Sequence, residues 1–295
     1  MTGFTAIDLS KLPAPDIVET LSYETILAAM KADLQARDPA FTDLLESDPA
    51  MKVLEVVAFR ELLIRQRVND AARGVMLAFA TGNDLDQLGG LYGVARQIVT
   101  PANPAAIPPI AAVYESDERF RQRIQLSLEG FSTAGPVGAY IFHALSASPL
   151  VKSVGVTSPD PGEVLVTILS TAGTGVPTSP LLATVTAALS AENVRPLTDQ
   201  VTVQAVTLIN YSVAAELRIA PGPDVAVVLA AALASGQAYT EAQNRIGGQV
   251  TVSGLHAALT VEGVLKVDLG AFTTDIEANQ TQAPRCTGLT VAEES

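Results

Sequence analysis

The chain is poor in the residues from which reactive centres are built. Cys286 is its only cysteine, so no disulfide can close within the chain, which fits a protein made in a reducing compartment. His143 and His256 are the only histidines, and neither has a second histidine or a cysteine close by in sequence. That leaves zinc and the other imidazole- or thiolate-seeking metals without a ligand set. Basic residues are few: 18 Lys+Arg stand against 31 Asp+Glu, a net charge of -13. A surface of that sign repels phosphate backbones, so the sequence predicts no nucleic-acid partner. The N-terminal stretch has no basic flank followed by an apolar run, so no secretory signal is expected. The longest apolar run, Val225 to Ala234, is too short for a hydrocarbon core that takes about 20 residues. It reads as a buried helix, and no membrane insertion is expected.

What the chain does have is apolar residues, 48% of the total, in helical and strand periodicities. Residues 1–20 carry Pro13 and Pro15 and read as an extended arm. Ser22 caps a helix from Tyr23 to Arg37. Asp48 and Pro49 open a long helix expected to run to about Ala80, with Thr81-Gly82 as its stop. Its first half is apolar on most faces, and its second half keeps a stripe. Val57, Ile64, Val68, Ala71 and Val75 mark the face expected to join a helical bundle. A short helix from Asp84 to Leu91 follows. Four prolines within residues 100–110 read as a linker.

Beyond it, Ser116 caps a helix on which Phe120, Ile124 and Leu128 form one face. A helix at 136–146 leads to strands at 151–158 and 163–170. A helix from Pro180 to Ser190 precedes a strand at 201–206. The pattern then partly recurs: a strand at 208–220, a long helix from Asp224 to about Ile246, a short helix near Leu255 to Val261, and Gly263 to Phe272. Residues 149–158 and 263–272 share an apolar pair, a lysine and alternating valines. The fold class is α+β: an N-terminal helical region with a long bundle-forming helix, followed by two small α+β domains of related build. The expected organisation is an arm at 1–20, helices at 21–99, a linker at 100–110, α+β domains at 111–206 and 207–274, and a polar, aperiodic tail at 275–295.

Several stretches imitate reactive sites, and each has a plainer reading. Gly173-Thr-Gly175 lies between a strand and a helix, but its glycines stand several residues before the helix start, where they cannot cradle a phosphate. It reads as a connector. Gly130 to Gly135 departs from the nucleophile-elbow pattern at Ala134 and follows a helix rather than a strand. The acids from Glu115 to Glu118 read as a solvated helix start, with Arg119, Arg121 and Arg123 on more than one side of that helix. Arg195, Pro196 and Asp199 look reactive but read as a helix-to-strand corner. Pro196 ends the helix and holds Arg195 extended, Asp199 favours a turn, and Arg195 is expected to brace Asp199. No catalytic residue, cofactor or metal site follows from these patterns, and the protein is expected not to be an enzyme.

Four stretches in order, residues 8–27, 43–94, 115–140 and 194–204, resemble the baseplate J-like family of contractile-tailed phages over nearly the whole chain. That resemblance implies a baseplate wedge component of a phage or tailocin, with no catalytic residues. The implied partners are a second copy of the chain, a smaller wedge protein (tail protein I-like), a sheath-initiator-like baseplate protein and neighbouring wedges. The helical part would join the wedge bundle, and the α+β part would link wedges into a ring around the hub. The implied location is the virion or tailocin baseplate, assembled in the bacterial host cytoplasm. A soluble α/β enzyme with an unrecognised site is the alternative reading, and a host-binding fibre would need β-rich repeats that the chain lacks.

Overall fold

The structure is a computed structural model that describes residues 9, 12, 13, 15, 17, 19–41, 44–132, 135–192, 194–196, 198–222 and 224–294. Its contacts divide the chain into two compact units, one of residues 6–96 with 116–121, the other containing 97–115 and 122–295. The fold is mixed α+β with a helical N-terminal part, as the periodicities predict.

In the first of these units, α1 (Tyr23–Arg37) packs on α2 (Pro49–Gly74). Ser22 accepts from the Thr25 amide and caps α1, and Asp48 stands at the N-cap of α2 with Pro49 in its first turn. Ile26 and Leu27 meet Met51 and Ala58 in a small core, flanked by Leu54 and Leu62. Most of the arm at 1–20 lies outside the described residues. Where it reaches Glu19, the Asn69 side chain accepts from the Glu19 amide at 3.1 Å and donates to its carbonyl at 2.9 Å. A buried asparagine thus supplies both halves of the pairing that a neighbouring strand would give.

The long helix is shorter than expected, ending at Gly74 instead of Ala80. The Asp84 carboxylate packs close to Gly74, where the helix ends. The turns that follow leave the Leu77 and Ala80 carbonyls without helical partners, and the Arg121 guanidinium donates to both at 2.7 Å. Thr81-Gly82, expected as a stop, opens α3 (Gly82–Leu91). Phe120 and Leu85 are fully buried in this unit, and Arg96 lies over the Phe120 ring while pairing with Asp86 and Asp117 at 2.7 Å each.

The second unit begins with a ribbon in place of the expected linker. Strands β1 (Ile98–Thr100) and β2 (Val113–Tyr114) pair antiparallel, and Asn103 bridges to Ile110. The prolines sit at the edge and turn positions such a ribbon allows. Next, α4 (Asp117–Gly130) buries Phe120 and Ile124 but leaves Leu128 62% exposed. Steps of four residues drift about 40° each around a helix of 3.6 residues per turn, so the third member leaves the face. Ser127 is buried in its place.

Helix α5 (Val137–Ala147) leads into a sheet ordered β3-β4-β5, formed by Val151–Thr157, Glu163–Ser170 and Gln200–Ala205. The central strand β4 is antiparallel to β3 and parallel to β5, with the crossover made by α6 (Ser179–Leu189). The second sheet places β6 (Thr207–Ile219) between β8 (Val264–Asp268), antiparallel, and β10 (Gln282–Glu293), parallel. Both sheets therefore share one pattern, a centre with one neighbour of each sense. Their chain order differs: the antiparallel edge precedes the centre in the first sheet and follows it in the second.

The polar tail expected from residue 275 is instead β9 (Ile276–Glu277), paired with β7 (Gln249–Val250), and then β10, which runs beside nearly all of β6. Its alternation is hidden because the register shifts between Cys286 and Gly288, so the buried positions change phase. Helix α7 (Val225–Gln243) is long and apolar enough to pass as a membrane span by composition alone. It lays Val228, Ala232, Gly236 and Thr240, at helical spacing, toward β10 and α8 (Val252–Leu259). A side chain at Gly236 would press on Leu259 and Leu289.

Only Val206 separates β5 from β6. Its amide donates to Ile168 in the first sheet, and the next amide, of Thr207, donates to Thr281 beside the second. Leu169, Val206, Ile246 and Ala283 close a small core over this passage. Lys152 adds an ion pair to Glu241 at 2.5 Å and a bond to Asn244 at 2.6 Å. A side chain at Gly155 on β3 would run into the Gln280 carbonyl and Ile246. Because one of those neighbours is backbone, Gly155→Ala should cost about 1–3 kcal/mol through overpacking. Thermal denaturation should show a lower midpoint, while the same change at Gly173, with open space around it but a positive φ, should not disturb the joint between the sheets.

Candidate functional site

Helix α2 can be mapped as a wheel at about 100° per residue. The sector around Met51, Ala58, Leu62 and Asn69 is the one covered by α1 and the arm. Val57, Ile64, Val68 and Ala71, with Val75 at the C-cap, fall within about 60° of one another, centred roughly 130° from that sector. All five are exposed, Val68 by 54%. On the other flank, Val56, Phe59 and Leu63 form a second exposed apolar sector, confined to the first half of the helix. From Val57 to Val75 the stripe extends about five turns, and each of its five side chains is exposed. Large apolar side chains left in water in such a row are the most conspicuous exposed apolar feature of this helix.

The corner is built differently from its sequence reading. Ala191 to Arg195 turn through two amide bonds to the Ala191 carbonyl, and Asp199 donates its amide to Pro196. Asp199 is braced from α5: the Tyr140 hydroxyl donates to its carboxylate at 2.7 Å. Tyr140 is 2% exposed, and burial, followed by the Asp199 carboxylate, holds its phenol protonated well above the ordinary range. Gly135, at a positive φ of 72°, lets the α4–α5 turn approach; a side chain there would meet Pro196 and Asp199. Sequence reading missed Tyr140 and Gly135. The available signal was Tyr140 itself, since a tyrosine on an apolar helix face needs a partner for its hydroxyl.

The other imitations of reactive sites resolve into structure. Glu115 is not on a solvated helix start; it lies before α4 and is buried in an ion pair with Arg123. Asp117 accepts from the Gly82 amide at 3.0 Å and pairs with Arg96. Thr133 and Ala134 lie outside the described residues. Gly173 and Gly175 border a cleft of about 470 Å³ between the two sheets, together with Lys152, Glu241, Asn244 and Arg285. Helix α6 starts only at Ser179, with Thr178 as its N-cap, so no helix N-terminus faces the loop's glycines. The cleft's lysine is already held by Glu241 and Asn244. Among the described residues no group of three or more His, Cys, Asp and Glu side chains is placed to hold a metal ion.

The most extensive feature among the described residues is therefore the exposed apolar face of α2. Residues 46–103 match the Baseplate J-like N-terminal domain and residues 132–205 the Baseplate J-like central domain. The chain is 49% identical over 288 residues, 95% of each chain, to "Baseplate protein J" of Escherichia phage P2. It belongs to the baseplate J-like family of baseplate structural proteins.

The corner is testable by stability alone. Asp199→Ala leaves a buried phenol donor unpaired, which costs about 1–3 kcal/mol. Tyr140→Phe with Asp199→Ala removes both partners and should recover part of that loss. Urea denaturation of the two single variants and the double variant would measure the coupling, and additive losses would show that the pair does not brace the corner.

Proposed function

We propose that this chain is a wedge component of the baseplate of a contractile phage tail or tailocin. In this reading two copies associate with a smaller wedge protein, and α2 is the element on which that bundle is built. The second unit then links wedges into a ring around the hub and meets the sheath-initiator-like protein and neighbouring wedges. Assembly takes place in the cytoplasm of the bacterial host. The observation that carries the proposal is the exposed stripe of Val57, Ile64, Val68, Ala71 and Val75 on a helix that is covered on one sector only.

The energetics favour helices as the covering elements. A stripe about five turns long matches the contact surface of another helix, and fully burying a valine or isoleucine stabilises by about 1.5–3 kcal/mol. The second sector at Val56, Phe59 and Leu63 provides for a further helix, in keeping with a bundle of more than two chains. The division of labour proposed for the chain follows its sequence regions: arm 1–20 and helices 21–99 for the bundle, and 111–274 for the ring. An enzymatic role has no observation in its favour, since the one polar cleft described above offers Lys152 already engaged and no base beside a nucleophile.

A charge on the stripe separates folding from assembly. Val68 is exposed in the free chain, so Val68→Asp should change its own stability by no more than about 0.5 kcal/mol. Buried in a bundle, the same carboxylate would cost several kcal/mol. The variant should be soluble, with native circular dichroism, and should fail to co-purify with a second copy or with the smaller wedge protein on co-expression. Retention of the complex would remove α2 from the bundle.

A further inference from the structure

The cleft bordered by Gly173 and Gly175 carries charge opposite to that of the chain. Over the whole sequence 31 acids stand against 18 bases. The charged residues lining the cleft are Lys152, Arg285 and Glu241, two cations to one carboxylate. Lys152 is paired with Glu241. Arg285, half-buried on β10, makes no ion pair and no side-chain hydrogen bond among the described residues. A partly desolvated guanidinium costs free energy unless an acceptor offsets it. This chain has acids in excess and places none of them on Arg285.

The loop between β4 and α6 adds donors to the same cleft. Most of its amides are used in its own fold. Ser170 donates to the Gly175 carbonyl at 2.7 Å, Thr171 to Leu150 at 2.9 Å, Ala172 to the Ser170 hydroxyl at 3.1 Å and Gly175 to Ala172 at 3.1 Å. The amides of Gly173 and Thr174 are left without an acceptor among the described residues. Gly173 has a positive φ of 62°, the left-handed conformation found in loops whose successive amides converge on an anion. Bonds on both sides of these two amides fix them before any ligand arrives, which lowers the cost of binding.

We propose that this cleft binds a small oxyanion, a phosphate or a carboxylate group, held by the Arg285 guanidinium and the amides of Gly173 and Thr174. A planar guanidinium presents paired N–H donors that match two oxygens of either group. A neutral ligand would leave the guanidinium uncompensated. The volume of about 470 Å³ admits a small ion or acid, while the net charge of -13 repels a long polyanion. No helix terminus takes part, which separates the cleft from the nucleotide-binding loops that the sequence excludes. The sequence reading of Gly173 to Gly175 as a connector follows from their distance to α6; it misses Arg285, which is remote in sequence. A bound ion would fasten β10 of the second sheet to the loop leaving the first, beside the Lys152 pair. The inference is independent of the wedge reading.

The test is isothermal titration of the full-length chain with inorganic phosphate and, separately, with citrate, at constant ionic strength. At least one of them should bind saturably, one ion per chain, with a millimolar or tighter dissociation constant. Tighter binding of phosphate would assign a single tetrahedral ion, and tighter binding of citrate a polycarboxylate. Arg285→Gln should weaken binding about tenfold or more, the worth of a charge-assisted hydrogen bond. Its circular dichroism should stay native, because the side chain it replaces has no partner in the chain. Glu241→Gln removes the cleft's one carboxylate while keeping an oxygen for Lys152, and it should tighten binding. A general effect of salt on the protein would not move in opposite directions in these two variants. Heats that do not saturate with either ion would overturn the proposal. So would an Arg285→Gln variant that binds like the native chain, or a Glu241→Gln variant that binds no more tightly.

Discussion

A single helix cannot bury three apolar sectors against one neighbour, and α2 has three. Helix α1 and the arm at Glu19 cover one of them, through a core of few residues and the paired bonds of Asn69. The two exposed sectors are a standing cost in water, tolerable only because they are stripes on a rigid rod and not a broad sheet of hydrocarbon. That arrangement fixes what the N-terminal unit can be. Its own packing is enough to set α1, the arm and α2 in register, and too slight to satisfy α2. In the reading proposed above, folding of such a unit prepares a surface and association completes the core.

The second unit solves the opposite problem, joining two small sheets that could have been separate domains. The chain passes from one to the other with only Val206 between strands, so neither sheet can move without moving the end of the other's central or edge strand. Lys152, Ser153 and Gly155 on β3 all meet the segment from Glu241 to Gln280. Polar bonds, a small core and a backbone contact that only glycine allows thus converge on one seam. The sheets share a pattern but not a chain order. The likeness between residues 149–158 and 263–272 therefore reflects the shared task of an antiparallel edge strand following a short helix.

How far the sequence could be read depends on how local each cause is. Helix α1, with its serine cap, and the strand at Glu163–Ser170 were legible because cap, periodicity and stop lie within the element. The end of α2 was not, because the carbonyls beyond it are satisfied by Arg121, which is remote in sequence. Strand β10 escaped because a register shift reverses its alternation. Leu128 was misassigned because a four-residue repeat drifts off its face. At the corner, the turn residues were legible but the brace was not: Tyr140 lies 59 positions from Asp199. The exposed stripe of α2 was legible as periodicity, while its exposure became visible only once α1 was seen to cover a different sector.

Charge is spread unevenly over the chain. An acidic chain stays soluble and keeps copies apart, and it does so over every surface that carries its share of carboxylates. The α2 stripe and the ribbon at residues 98–114 depart from that acidic average, and both expose apolar side chains. On α2 basic residues outnumber acidic ones; Arg60 and Arg67 flank the stripe on one side and Arg65, paired to Glu61 and Glu19, on the other. On the ribbon, charge is absent altogether. A helix with flanking cations can discriminate among acidic partners by ion pairs at its rim, which set register more than affinity. A chargeless ribbon has no such means, so any contact it makes rests on apolar area and shape.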